Sequence, residues 1–312
     1  MEAQVRAESL SKTFRVGFLA RRVRAVDGLS FEVRRGEIFG LLGPNGAGKT
    51  TTLKMLLGFV KPTAGSAYIG NARAGTLEAR RNLGYLPENP ALYEFLRGDE
   101  YLVFAGRLAG LSRADAQAQA KDLLEIVGIA GRADRPVRRF SKGMVQRLGL
   151  AQSLLGNPQT VVLDEPMSGL DPIGRKDVRD LILKLREEGR TVLFSTHILS
   201  DVEAICDRVG IMVDGKLTDC GALADLVEPG ARAVELILEK LPKELEERFR
   251  AEGVRMLQRD RSMVLTFDGE AKAHEALRAA LDAGAVASSL TPHRRSLEEL
   301  FVARARGTAT TS

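Results

Sequence analysis

The sequence predicts an α/β protein: a large domain with a parallel core sheet, then a smaller α/β domain. Three observations carry that expectation. A glycine-rich loop joins the apolar run at residues 38–42 to a helical start at 50–57; strand-like and helix-like stretches alternate between 160 and 213; and after residue 222 the two patterns recur on a smaller scale. At 312 residues the chain is long enough for two domains, each with its own core.

In chain order, residues 5–10 alternate as a strand does, and Phe14 follows at an expected strand end or loop. Residues 31–33 and 37–42 continue the β pattern across the turn at Arg35 and Gly36. The stretch 39–57, FGLLGPNGAGKTTTLKMLL, then supplies Gly43, four further residues, and Gly48-Lys49-Thr50, which is the phosphate-binding spacing of a P-loop. Gly43, Gly46 and Gly48 let the backbone turn tightly and aim successive N–H groups into one concavity, and the positive end of the next helix adds to that field. Lys49 is then placed to lie along the β- and γ-phosphates, and Thr50 to offer its hydroxyl to Mg²⁺. Asn45, Ala47 and Thr51 complete the nucleotide-binding set expected of this loop.

Beyond the loop helix, residues 61–66 read as a turn, 67–69 as a short strand and 84–87 as the end of another, so a β flap accompanies the nucleotide strand. Residues 90–157 turn helical, most clearly at 100–108, 114–127 and 142–155, with Gly110, Gly128 and the Gly156-Asn157-Pro158 run as stops. Strands return at 160–163 and 191–194 around a helix at 176–188, an alternation that implies parallel strands with right-handed crossovers. Two strands at 208–213 and 216–219, joined by Asp214-Gly215, close the large domain at 222. Residues 234–238, 241–250, 254–257, 263–267, 271–281 and 285–290 then read as strand, helix, strand, strand, helix, strand. A final helix at 296–303, with Ser296 and Glu299 as a capping box, completes a 223–305 domain expected to serve association or regulation, and 306–312 reads as a disordered tail.

Composition narrows the class. The chain is 44% hydrophobic and 28% charged, and no window approaches the ~18 uninterrupted apolar residues of a membrane span. Its first residues lack the apolar core of a signal peptide, so a cytoplasmic location is expected. Cys206 and Cys220 have no metal-ligand spacing and are expected to be reduced. The net charge of +5 gathers partly at Lys12, Arg15, Arg21, Arg22 and Arg24 and again at 132–139, either as a solvated surface or as a face for phosphates or lipid headgroups. No aromatics interleave with these cations and tryptophan is absent, so no nucleic-acid partner is expected.

One P-loop does not name a reaction. Residues 160–166, TVVLDEP, form an apolar strand that delivers two carboxylates at its C-terminal end. Adjacent side chains on an extended segment point apart, so Asp164 can hold Mg²⁺ through water while Glu165 orients or deprotonates an attacking water.

With these pieces in this order the sequence resembles the nucleotide-binding subunit of an ABC transporter. Phe140-Ser141-Lys142-Gly143-Met144 and Gln146 stand where that family carries its signature, usually LSGGQ, with Lys142 replacing the first glycine and Met144 the glutamine. Ser141 is also a good N-cap for the helix that follows. Ser168-Gly169-Leu170-Asp171 resembles the family's D-loop, and His197 stands after a strand in the position of its switch histidine. Phe14 matches the aromatic that stacks on adenine, with a core or surface ring as the rival reading. Glu88 occupies the Q-loop position, where many members carry glutamine, and would add charge beside the phosphates while coordinating Mg²⁺. The SKGM signature, the GYLPE run at 84–88 and SLEELF at 296–301 are similar to ATPases of bacterial ABC-2 type exporters.

The resemblance implies an ABC ATPase domain of the P-loop NTPase class, with parallel core sheet, β flap and a helical subdomain at about 90–157, using ATP and Mg²⁺. It implies a head-to-tail pair, with itself or a close relative, in which Ser141 and Gly143 of one chain complete the site on the other, and Asp171 joins the nucleotide-binding set. It further implies a separate transmembrane subunit, contacted near residues 85–95, and a peripheral position on the cytoplasmic side of the plasma membrane. A soluble ABC-type ATPase acting on nucleic acid or ribosomes is the competing class. Such proteins carry two ATPase domains or a long coiled-coil insertion, and this chain shows neither. A P-loop kinase conflicts with the Ser141 and His197 motifs.

Overall fold

A computed structural model gives the structure of the chain and describes residues 2–17, 21–226, 231–259, 262–294, 297 and 301. They divide into two compact units, one running to Leu223 and the other beginning at Ala224.

The first unit opens with two long strands, β1 (Ala3–Val16) and β2 (Arg21–Arg34), followed by β3 (Ile38–Leu42) and the helix α1 (Lys49–Leu56). Next come β4 (Ala64–Ile69), β5 (Ala72–Arg73), a short helix α2 (Leu77–Arg81) and β6 (Leu83–Leu86). β1, β2, β4 and β5 make an antiparallel sheet in the order β2-β1-β4-β5. Three helices follow: α3 (Gly98–Leu108), α4 (Arg113–Ile126) and α5 (Lys142–Ser153). Then β7 (Thr160–Asp164), α6 (Pro172–Glu187), β8 (Thr191–Thr196), α7 (Leu199–Ile205), β9 (Arg208–Val213) and β10 (Lys216–Ala222) complete the unit.

The central sheet has the order β10-β9-β3-β8-β7-β6. All its neighbours are parallel except β10, which closes the edge antiparallel to β9. β3, β7 and β8 are buried along their whole length, as expected of parallel strands covered on both faces. Val161, Leu163 and Phe194 pack on one side with Leu148, Leu150 and Ile182 of the helices. On the other side Phe39, Leu41, Val162 and Leu193 meet Leu53 and Leu56 of α1 and the apolar residues of the antiparallel sheet. Each such fully buried side chain contributes about 1.5–3 kcal/mol, and together they fix the strand ends from which the site is built.

Three differences from the expected elements have local causes. β1 continues through Phe14, which pairs with Val23, and β2 begins at Arg21. Residues 21–24 are all exposed, so backbone pairing alone makes this ribbon and no apolar alternation announces it. α6 starts at Pro172 because a proline in its first turn and Asp171, whose Oδ1 accepts from Gly174 N–H at 2.7 Å, supply a ready terminus. α2 and α7 were too short to show a helical period.

In the second unit, α8 (Leu223–Leu226) stands at the division, and β11 (Ala231–Glu239), α9 (Lys243–Ala251), β12 (Arg255–Arg259), β13 (Ser262–Phe267), α10 (Glu270–Asp282) and β14 (Val286–Arg294) follow. The sheet order β12-β13-β11-β14, antiparallel throughout, is the split βαβ arrangement. Its core joins Val234, Leu236 and Leu238 to Leu265, Phe267, Phe249 and the alanines of α10. The Ser296–Glu299 cap and the tail at 306–312 lie outside the described residues. Among the described residues no helix is long and apolar enough to cross a membrane.

Candidate active site

The P-loop runs from the end of β3 into α1. Its glycines are required by close approaches as well as by conformation. Gly48 has φ +100° and a Cβ there would stand 2.4 Å from the Ala25 carbonyl oxygen, while a Cβ on Gly43 would stand 2.5 Å from that of Met212. Lys49, the first residue of α1, is 6% exposed. Its Nζ donates to the carbonyl oxygens of Gly43 at 2.7 Å and Pro44 at 3.2 Å, and lies 3.4 Å from Glu165 Oε1.

The two carboxylates leave the end of β7 in different directions. Asp164, 1% exposed, accepts from Ser195 Oγ at 2.6 Å and from Thr50 Oγ1 at 3.2 Å. Glu165 follows with φ +50°, a left-handed conformation that a non-glycine residue keeps only when its surroundings enforce it. Its N–H donates to Ser195 Oγ at 3.1 Å, and its Oε2 stands 3.0 Å from His197 Nδ1. Lys49, Glu165 and His197 therefore form one contiguous group, with Asp164 and Thr50 beside it.

A cavity of about 420 Å³ opens on this group, lined by residues 45–51 together with Ala25, Glu88, Glu165, Ser168 and His197. Tyr85, on β6, reports the local field: burial first, then the charges of Asp164 and Glu88, push its hydroxyl up to about 12. Thr50, Asp164 and Glu88 thus offer hard oxygen donors in a negative field, the donor set that suits Mg²⁺. These three residues come from three different segments, and no cluster of three or more His, Cys, Asp or Glu side chains able to hold a metal ion occurs among the described residues. Mg²⁺ is ordinarily bound through one or two carboxylates together with substrate phosphates.

Four predicted residues, Phe14, Ser141, Gly143 and Asp171, lie elsewhere. Phe14 is half-buried on β1 with Lys12 Nζ 5.1 Å from its ring centroid, and it does not line this cavity; Ala25 of the paired strand does. Ser141, Gly143 and Asp171 line a second cavity of about 740 Å³, with Lys142, Met144, Gly169 and Leu170. There Ser141 Oγ accepts from Met144 N–H at 3.3 Å as the N-cap of α5, so the hydroxyl and the positive helix end are presented together. No sequence pattern marks Ser195, which stands opposite Asp164 where β7 and β8 pair. That register gives it its role, and sequence alone shows no register.

Comparison with known proteins identifies the family. The family model described as ABC transporter matches residues 26–168. An ABC transporter ATP-binding protein of Synechocystis, sll0415, is 44% identical over 221 residues, covering 70% of this chain and 62% of that protein. YxlF of Bacillus subtilis, also an ABC transporter ATP-binding protein, is 44% identical over 244 residues, 77% of this chain and 79% of its own length. The bacitracin transport ATP-binding protein BcrA of Bacillus licheniformis is 43% identical over 199 residues, 63% of this chain and 64% of BcrA. Among solved structures, the dimeric post-hydrolysis state of the ATP-binding cassette MJ0796 with ADP and Pi matches with TM-score 0.65 and 25% identity over 70% of this chain and 98% of that one. On this identity and coverage, the chain belongs to the family of ABC transporter ATP-binding proteins.

Proposed function

We propose that the chain binds and hydrolyses ATP to power export through a separate membrane-spanning subunit, sitting peripherally on the cytoplasmic face of the plasma membrane. The observation that carries this reading is the contiguous Lys49–Glu165–His197 group beside a P-loop, with the Ser141 cavity formed elsewhere on the same chain. BcrA, named for bacitracin transport, supports the transport role.

The residues divide the work. Backbone N–H groups of residues 45–49 receive the phosphates, and Lys49 exchanges its carbonyl partners for phosphate oxygens. Mg²⁺, held by Thr50, Asp164 and Glu88, would neutralise phosphate charge. Glu165 takes the proton of the attacking water, and His197, 3.0 Å away, keeps that carboxylate oriented. The lining of this cavity includes no residue of the Ser141 cavity. Ser141 and Gly143 of a second chain complete the site, so ATP closes the pair and hydrolysis releases it.

Steady-state ATPase assays test the assignment. Glu165→Gln should bind ATP yet turn over at least ~10²-fold more slowly, because its base is gone. Lys49→Ala should lose nucleotide binding or turnover. Wild-type turnover in either variant would refute the role given to that residue.

A further inference from the structure

α6 is braced on both flanks. On one, Arg147 of α5 donates from Nη1 to the Val127 carbonyl and from Nη2 to Asp177 of α6, each at 2.9 Å. On the other, Arg175 Nη2 reaches Asp201 Oδ2 of α7 at 2.8 Å and Arg179 Nη1 reaches Asp201 Oδ1 at 3.5 Å. Asp201 is 1% exposed and the two arginine side chains 27% and 28%. Burying a carboxylate this deeply is costly unless cations pair with it. Asp201 is also the third residue of α7, where an acid ordinarily serves its own helix terminus. Here the N-cap, Ile198, has no side-chain cap, and the carboxylate turns to α6 instead.

The two ends of this brace matter. α7 begins two residues after His197, whose Nδ1 stands 3.0 Å from Glu165. α6 begins directly after Asp171, which lines the Ser141 cavity. We infer that Asp201 is a positioning residue for hydrolysis: by locking α7 to α6 through Arg175 and Arg179, it fixes His197 against Glu165 and ties that pair to the loop at the second cavity. This rests on the hydrolytic reading above.

The test combines kinetics and NMR on the full-length chain. Asp201→Asn should lower kcat about tenfold, as loss of an orienting partner does, while KM for ATP stays within about twofold. Asp201→Glu should recover most of the rate. Arg175→Gln leaves Asp201 paired with Arg179 and should give a smaller loss, again confined to kcat; it serves if Asp201→Asn does not fold. The chain has three histidines, and the other two, His274 and His293, belong to the second unit, so His197 can be followed by its ring resonances without nucleotide. Asp201→Asn should move the His197 resonances. Unmoved His197 resonances, or wild-type kcat in both Asp201→Asn and Arg175→Gln, would overturn the inference. An inactive wild-type chain would instead overturn the hydrolytic reading itself.

Discussion

Glu165 is the most constrained residue of the site, and Ser195 is what constrains it. A left-handed non-glycine conformation costs on the order of 1–3 kcal/mol, and here the Ser195 hydroxyl accepts from the Glu165 N–H while donating to Asp164. One hydroxyl therefore joins the Asp164 carboxylate to the Glu165 backbone, whose N–H also donates to the Ser195 carbonyl at 3.2 Å. Ser195→Ala should reduce kcat by about tenfold or more with little change in ATP affinity, measured by steady-state kinetics and equilibrium titration of nucleotide. Loss of affinity with kcat intact would assign Ser195 to binding instead. The P-loop, Asp164 and Glu165 stand out in the sequence through short local spacing, and His197 only through the family resemblance. Ser195 does not stand out, because its part depends on β7 and β8 lying side by side in one register.

Elements carry the site by where they begin and end. α1 begins at Lys49 because Gly48 brings the chain within reach of Ala25, and a methyl group there has no room. Gly48→Ala should abolish nucleotide binding more severely than it lowers the melting temperature, since the strain falls on the loop and not on the core. Binding at the wild-type level would show that the loop can yield. α6 begins at Asp171 with a side-chain cap, and Asp171→Ala should cost about 1 kcal/mol in denaturant unfolding, with no loss if the cap is replaced by water. The Ser141-capped start of α5 was readable in advance, whereas the Asp171-capped start of α6 was not, that helix being expected only from residue 176. Nor was the paired ribbon at 21–24, for it is held by backbone bonds and its arginines report only solvent.

At the scale of the whole molecule, the alternation of strands and helices was legible in both units, whereas the sheet orders were not, since order is a long-range property. The strand-helix pattern after residue 222 did not say that β11 would pair with both β13 and β14. The larger consequence lies in the first unit. Its P-loop cavity and its Ser141 cavity share no lining residue, although the reaction proposed needs both sets of groups around one triphosphate. A head-to-tail pair of chains satisfies that need twice. The most direct measurement is size-exclusion chromatography with light scattering on Glu165→Gln, with and without Mg-ATP. The account predicts a monomer that becomes a dimer when Mg-ATP is added; a monomer at saturating Mg-ATP, in a variant shown to bind the nucleotide, would contradict it.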